Sequence, residues 1–148
     1  MKKVILPIFI IIVLISCGHK LNSKVEKSIV EISKEDCVIL DFEFQNEAFK
    51  NLLKVSSIED LVYLTENEHS YVKYYAFIGL REKNYSKILE IYNAHKHDNE
   101  TINTSNGACL TENTKIGELM LWALNPENPK YKWLSKTEYD KLYKEQFK

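Results

Sequence analysis

The stretch LVYLTENEHSYVKYYAFIGL, residues 61–80, decides the fold. Leu61 and Leu64 stand three apart, so they share one face of a helix. Just upstream, Ser57-Ile58-Glu59-Asp60 has the layout of a helix start: a serine cap, then acids in the first turn. A polar turn follows, and Ser70 begins a second helix. Val72, Tyr75, Ala76, Gly79 and Leu80 fall at i, i+3, i+4, i+7 and i+8, one continuous apolar stripe. The small residues Ala76 and Gly79 let this helix approach its neighbours closely. Tyr71, Tyr74 and Phe77 crowd the same helix but lie partly off the stripe. Exposed aromatics rimmed by charge are interface material, so these three are candidate protein-binding residues; packing against flanking helices is the alternative.

Moving toward the C-terminus, residues 84–96 form a third helical stripe through Tyr85, Ile88, Leu89 and Tyr92. Residues 97–114 break the pattern; the run Asp-Asn-Glu-Thr-Ile-Asn-Thr-Ser-Asn-Gly is loop chemistry. Residues 115–124 are helical again, and Pro126 and Pro129 mark a turn. Ser135-Lys136-Thr137-Glu138 is a capping-box pattern, and Tyr139, Leu142, Tyr143 and Phe147 give a last amphipathic stripe. Ile116, Leu119, Met120, Ala123 and Leu124 repeat the spacing of the Val72–Leu80 stripe at an offset of 44. Paired-helix repeats run at about 40–47 residues. On these residues the stretch 57–96 resembles a HEAT repeat, and the likeness extends to residue 124 if 97–114 is an insertion between the helices of a second unit. The resemblance implies a short stack of antiparallel helix pairs and a role in protein contacts.

Toward the N-terminus, Val38, Leu40, Phe42 and Phe44 alternate like a strand, while Phe44, Ala48, Phe49, Leu52 and Leu53 have helical spacing. Residues 38–44 therefore read as extended, with the first turns of a helix as the alternative. Residues 18–33 begin polar and lysine-rich and then carry Val25, Ile29 and Ile32. They read as a tether leading into a short element.

The chain opens with Met1-Lys2-Lys3 and an apolar run from 4 to 15 interrupted only by Pro7. Two lysines before a run this short form a secretory signal, since a membrane-spanning helix needs about 20 apolar residues. Leu14-Ile15-Ser16-Cys17 closes the run and resembles the bacterial lipobox. That resemblance implies cleavage before Cys17, a thioether-linked lipid on its sulfur, and a chain tethered to the membrane rather than crossing it. Gly18, where an aspartate would mark inner-membrane retention, implies the outer membrane. The absence of acids over residues 18–25 implies a periplasm-facing domain. The expected organisation is a cleaved signal peptide at 1–16, lipidated Cys17 and tether at 17–36, and one helical domain at 37–148.

Removing the leader takes Lys2 and Lys3 from the 20 basic residues, leaving 18 against 21 acids, a formal net charge of −3. No basic excess remains to bind nucleic acid. Cys37 and Cys109 either pair in an oxidising compartment or sit as two small hydrophobes. His95-Lys96-His97-Asp98 is the one cluster with ligand-like residue types, but i and i+2 point to different helix faces, so it reads as a solvated polar helix end and no metal is expected. Cys109 matches no nucleophile motif, no Gly-rich phosphate loop is present, and the paired acids fit helix caps. Lys130-Tyr131-Lys132-Trp133 reads as a solvated face, with anionic lipid as the alternative.

The expectation is thus a mostly α, HEAT-like lipoprotein domain with an irregular or extended N-terminal segment. It needs no cofactor and no catalytic residues. It acts as a non-enzymatic protein-binding or scaffold module with an unidentified protein partner. The alternatives are an immunity lipoprotein that binds a toxin and a small metal-dependent hydrolase.

Overall fold

A computed structural model describes residues 19–40, 43–105, 111–128 and 133–147. Cys17, Cys109, Lys130, Tyr131 and Lys132 lie outside the described residues, and with them the expected lipidation site, the choice between paired and unpaired Cys37 and Cys109, and most of the C-terminal basic cluster. Asn22 opens the fold: its side-chain oxygen accepts from the backbone N–H groups of Lys24 and Val25 and caps α1 (Ser23–Ile32). Val25, Ser28 and Ile32 recur at helical spacing and are buried. The short element expected within residues 18–33 is therefore a helix, with Val25 and Ile32 in the core.

After a turn come the short strand β1 (Val38–Ile39) and a 3₁₀ turn at Glu43–Gln45. The extended reading of 38–44 thus holds at Val38–Ile39, a 3₁₀ turn stands at Glu43 and Phe44 instead, and residues 41 and 42 lie outside the described residues. Asn46 then caps α2 (Glu47–Val55), which buries Phe49 and Leu52 and packs against α1.

Ser57 and Asp60 form a reciprocal capping box at the start of α3 (Ile58–Leu64). α4 (Ser70–Glu82) packs against α3, and an added Cβ at Gly79 would meet the Leu61 side chain at 3.1 Å. Close approach at a small residue is thus realised here. The one-stripe expectation is not: α4 is buried all round, every residue from 72 to 81 being inside. A helix buried on all sides has no outward face to offer. α1, α2, α3, α5, α6 and β2 all touch it.

Asn84 adopts a left-handed φ of 52° between α4 and α5 (Ile88–His95), a conformation asparagine tolerates better than most residues. The expected loop at 97–114 instead contains β2 (Thr101–Ser105) and β3 (Thr111–Lys115), paired antiparallel, while β1 runs parallel to β2. The sheet order is β1-β2-β3. α6 (Ile116–Ala123) packs on α4 and α5, and α7 (Lys136–Gln146), started by a Ser135–Glu138 capping box, lies on α6. The architecture is mostly helical with a small three-stranded mixed sheet.

Candidate functional site

The three aromatics singled out on α4 do not form an open face. Tyr74 is 2% exposed and Phe77 is fully buried. Tyr71 is half-buried, and its hydroxyl accepts from the Asn103 N–H of β2 at 3.2 Å. The flanking helices and the sheet enclose α4, so its off-stripe residues face other elements rather than solvent.

The His95–Asp98 segment also departs from the solvated reading. His95 is 5% exposed, and its Nδ1 is 2.9 Å from Asp98 Oδ2. Lys73 of α4 donates to the same Asp98 oxygen at 3.0 Å and pairs with Glu100 Oε2 at 2.9 Å. Glu66 Oε1 lies 3.3 Å from His95 Nε2, near enough for an ion pair but not aligned as a hydrogen bond, and that nitrogen is buried. Burial pulls the Asp98 carboxyl upward, but the bonds from His95 and Lys73 outweigh it and hold it below the ordinary range. Burial would lower Lys73, and its two carboxylate partners instead raise it. The cluster joins α4, α5 and the approach to β2. With Nε2 enclosed, the imidazole offers no nitrogen to an incoming substrate. His97 is exposed and stands apart. Among the described residues no group of three His, Cys, Asp or Glu side chains is placed to hold a metal.

A second polar cluster lines a concavity. Tyr74 donates its hydroxyl to Glu43 Oε1 at 2.8 Å, and both residues are buried. Burial and then the Glu43 charge drive the Tyr74 phenol well above its usual range, so it stays a donor. Arg81, two turns further along α4, is 9% exposed. Its Nε and Nη2 donate to Glu82 Oε1 at 3.1 and 3.0 Å, and Nη1 reaches the Ala123 carbonyl at 3.4 Å. These groups stand at a recess of about 260 Å³ that is also lined by Leu40, Trp122, Asn125 and Asn128. Trp122 is half-buried and stacks on Phe147 of α7, their ring centroids 6.3 Å apart. The 3₁₀ turn supplies the acid, α4 the phenol and the guanidinium, and α6 with its following turn the indole and the amides.

Sequence reading missed this recess because Glu43 and Arg81 look like ordinary surface charges; a tyrosine and an arginine seven apart on one helix were the available signal. A larger concavity of about 690 Å³ runs over Tyr63, Glu66, Asn67, Glu68 and His69. It is more open to solvent and gathers fewer buried polar groups, so the smaller recess is the better site.

No helix among the described residues is long and apolar enough to cross a membrane. Comparison of the chain with protein-family models, with curated proteins and with solved structures found no match.

Proposed function

We propose that this chain is an envelope-tethered binding module without catalytic activity, held by a lipid on Cys17 and presenting the Arg81–Trp122 recess to a protein partner. The observation that carries the binding part is the recess, where a half-buried indole and a nearly buried guanidinium stand beside amide groups at one concave place. Tryptophan and arginine in concave, largely desolvated settings dominate protein–protein binding energies. The lipobox-like Leu14-Ile15-Ser16-Cys17 supports the tether, and Gly18 supports the outer membrane with the domain in the periplasm. A net charge of −3 in the mature chain argues against a nucleic-acid partner.

The helix order supports a two-unit HEAT-like stack. α3–α4 and α5–α6 are consecutive pairs, the second helices α4 and α6 pack together, and the β2–β3 hairpin is inserted within the second pair. α2 and α7 lie against α4 and α6 and cover surface that an uncapped stack would expose.

The test is affinity capture from detergent-solubilised envelope, using the tagged protein and its Trp122→Ala and Asn128→Ala variants. One enriched protein, lost with both variants while circular dichroism and melting stay unchanged, supports the recess. Capture indifferent to both variants removes the recess, and no capture by folded protein removes the binding reading. Cys17→Ala is expected to move the chain from the membrane to the soluble fraction.

A further inference from the structure

We propose that the folded domain lies directly on an anionic phospholipid surface, seated through the N-terminal end of α1 and the lysines Lys20, Lys24 and Lys27. The inference rests on lipid attachment at Cys17. Its first support is the length of chain between anchor and fold. His19 is already part of the fold: its Nε2 is 2.7 Å from Asp60 Oδ1, and its ring lies on Tyr63 with centroids 5.0 Å apart. Asp60 is itself fixed, because its other oxygen accepts from Ser57 N at 2.9 Å in the α3 capping box. Two residue steps separate Cys17 from His19, a reach of about 7 Å when fully extended. A lipid-bearing residue that close to a fixed side chain leaves no slack for the domain to float free. The α1–α3 end of the fold is held at the headgroups.

The second support is charge. Lys24 and Lys27 are three apart and share a face of α1, and Lys20 leads into the helix. All three are exposed, and none forms an ion pair among the described residues. Glu26 is the one acid in residues 20–27. The N-terminal end of a helix adds partial positive charge to the same place. Lys24 and Lys27 also edge a groove of about 250 Å³ between α1 and α2, over the apolar side chains of Ala48 and Val55. Glu31, which shares that groove, is paired with Lys34 at 3.0 Å. Tyr63, 48% exposed beside His19, is the kind of aromatic that settles at a membrane interface.

The test is lysine footprinting of the full lipidated protein. It is reconstituted in phosphatidylcholine vesicles with or without phosphatidylglycerol, and compared with the protein in non-ionic detergent micelles. Intact mass first verifies the lipid on Cys17; an unlipidated mature chain would overturn both the anchor reading and this inference. With the lipid present, acylation of Lys20, Lys24 and Lys27 is expected to slow about fivefold in phosphatidylglycerol vesicles, while Lys115 at the start of α6 reacts as in micelles. Equal reactivity of the three lysines in vesicles and micelles would overturn the seating and leave the anchor standing. Protection of the same size in pure phosphatidylcholine would overturn the anionic part, because proximity alone would then account for it.

Discussion

Tyr74 and Glu43, 31 positions apart in the chain, share one hydrogen bond in the interior: the phenol donates to Oε1 at 2.8 Å. The bond ties α4 to the 3₁₀ turn that precedes α2. Tyr74→Phe keeps the ring and removes the donor, leaving a buried carboxylate oxygen without that partner. Such a loss costs about 1–3 kcal/mol. Urea unfolding is expected to place the variant in that range. Pairing it with Glu43→Leu is expected to recover part of the loss, because the buried charge goes as well. Additive losses in the cycle would mean the two residues do not interact.

The Lys73–Asp98–His95 cluster predicts how stability follows pH. An unfolded aspartate titrates near 3.8, and the folded Asp98 carboxyl is held lower, chiefly by His95 and Lys73 working against burial. The stabilisation it supplies is therefore complete above 3.8 and is lost as pH falls through the folded value. Lys73 is raised above its ordinary 10.5, so its contribution is complete below that value and is lost as pH rises through the folded one. Melting curves of the wild type and Asp98→Asn are expected to differ most near neutral pH and to converge in acid. A gap that stayed constant from neutral pH to about pH 2 would show that Asp98 carries no linked proton.

Caps and periodic apolar residues made most helices legible in the sequence. Ser57 with Asp60 and Ser135 with Glu138 announced α3 and α7, and both capping boxes form. The Val72–Leu80 stripe located α4 within a residue or so, but it did not reveal that α4 is central. The reason is chemical: Lys73, Tyr74 and Arg81 look outward-facing by type, and each is buried with a distant residue meeting its polar end, joined at Arg81 by the adjacent Glu82 carboxylate. Lys73 finds Asp98 and Glu100, Tyr74 finds Glu43, and Arg81 finds the Ala123 carbonyl. Those pairings span 25 to 42 positions and no local pattern encodes them. The hairpin was hidden for a related reason. Its strands TINTS and TENTK hold one aliphatic residue between them, Ile102, so no strand-like alternation of apolar residues appears.

Two helical glycines make a graded comparison. A Cβ on Gly117 would sit 2.5 Å from the Lys96 carbonyl oxygen and 2.8 Å from its carbon, both backbone atoms. A Cβ on Gly79 would come nearest to the two methyls of Leu61, at 3.1 Å. Gly→Ala inside a helix otherwise gains up to about 1 kcal/mol. Gly117→Ala is expected to destabilise by about 2 kcal/mol or more, since α6 must move away from the end of α5. Gly79→Ala is expected to stay within about 1 kcal/mol of wild type, because a leucine can shift. Equal effects in thermal melts would contradict the close α5–α6 approach.

The hairpin gives the last test, because a hydroxyl pair there stands where apolar residues would ordinarily face inward. Thr104 pairs with Glu112 and Thr114 with Ile102, so the two threonines are diagonal neighbours across the ladder, both buried, their hydroxyl oxygens 2.7 Å apart. Thr104 Oγ1 also reaches the Glu112 carbonyl at 3.4 Å. The arrangement that satisfies both runs from Thr114 to Thr104 and on to that carbonyl. Thr104→Val keeps the shape but removes the middle member, stranding the Thr114 hydroxyl, and is expected to cost about 1–3 kcal/mol. Changing both to valine removes donor and acceptor together and is expected to cost less than the single change, since an apolar pair of the same shape leaves nothing unsatisfied. Chemical denaturation of the two single variants and the double variant measures the coupling. If the double variant lost the sum of the two single changes, the hydroxyls would be acting separately, and their contact would not be what holds β2 to β3.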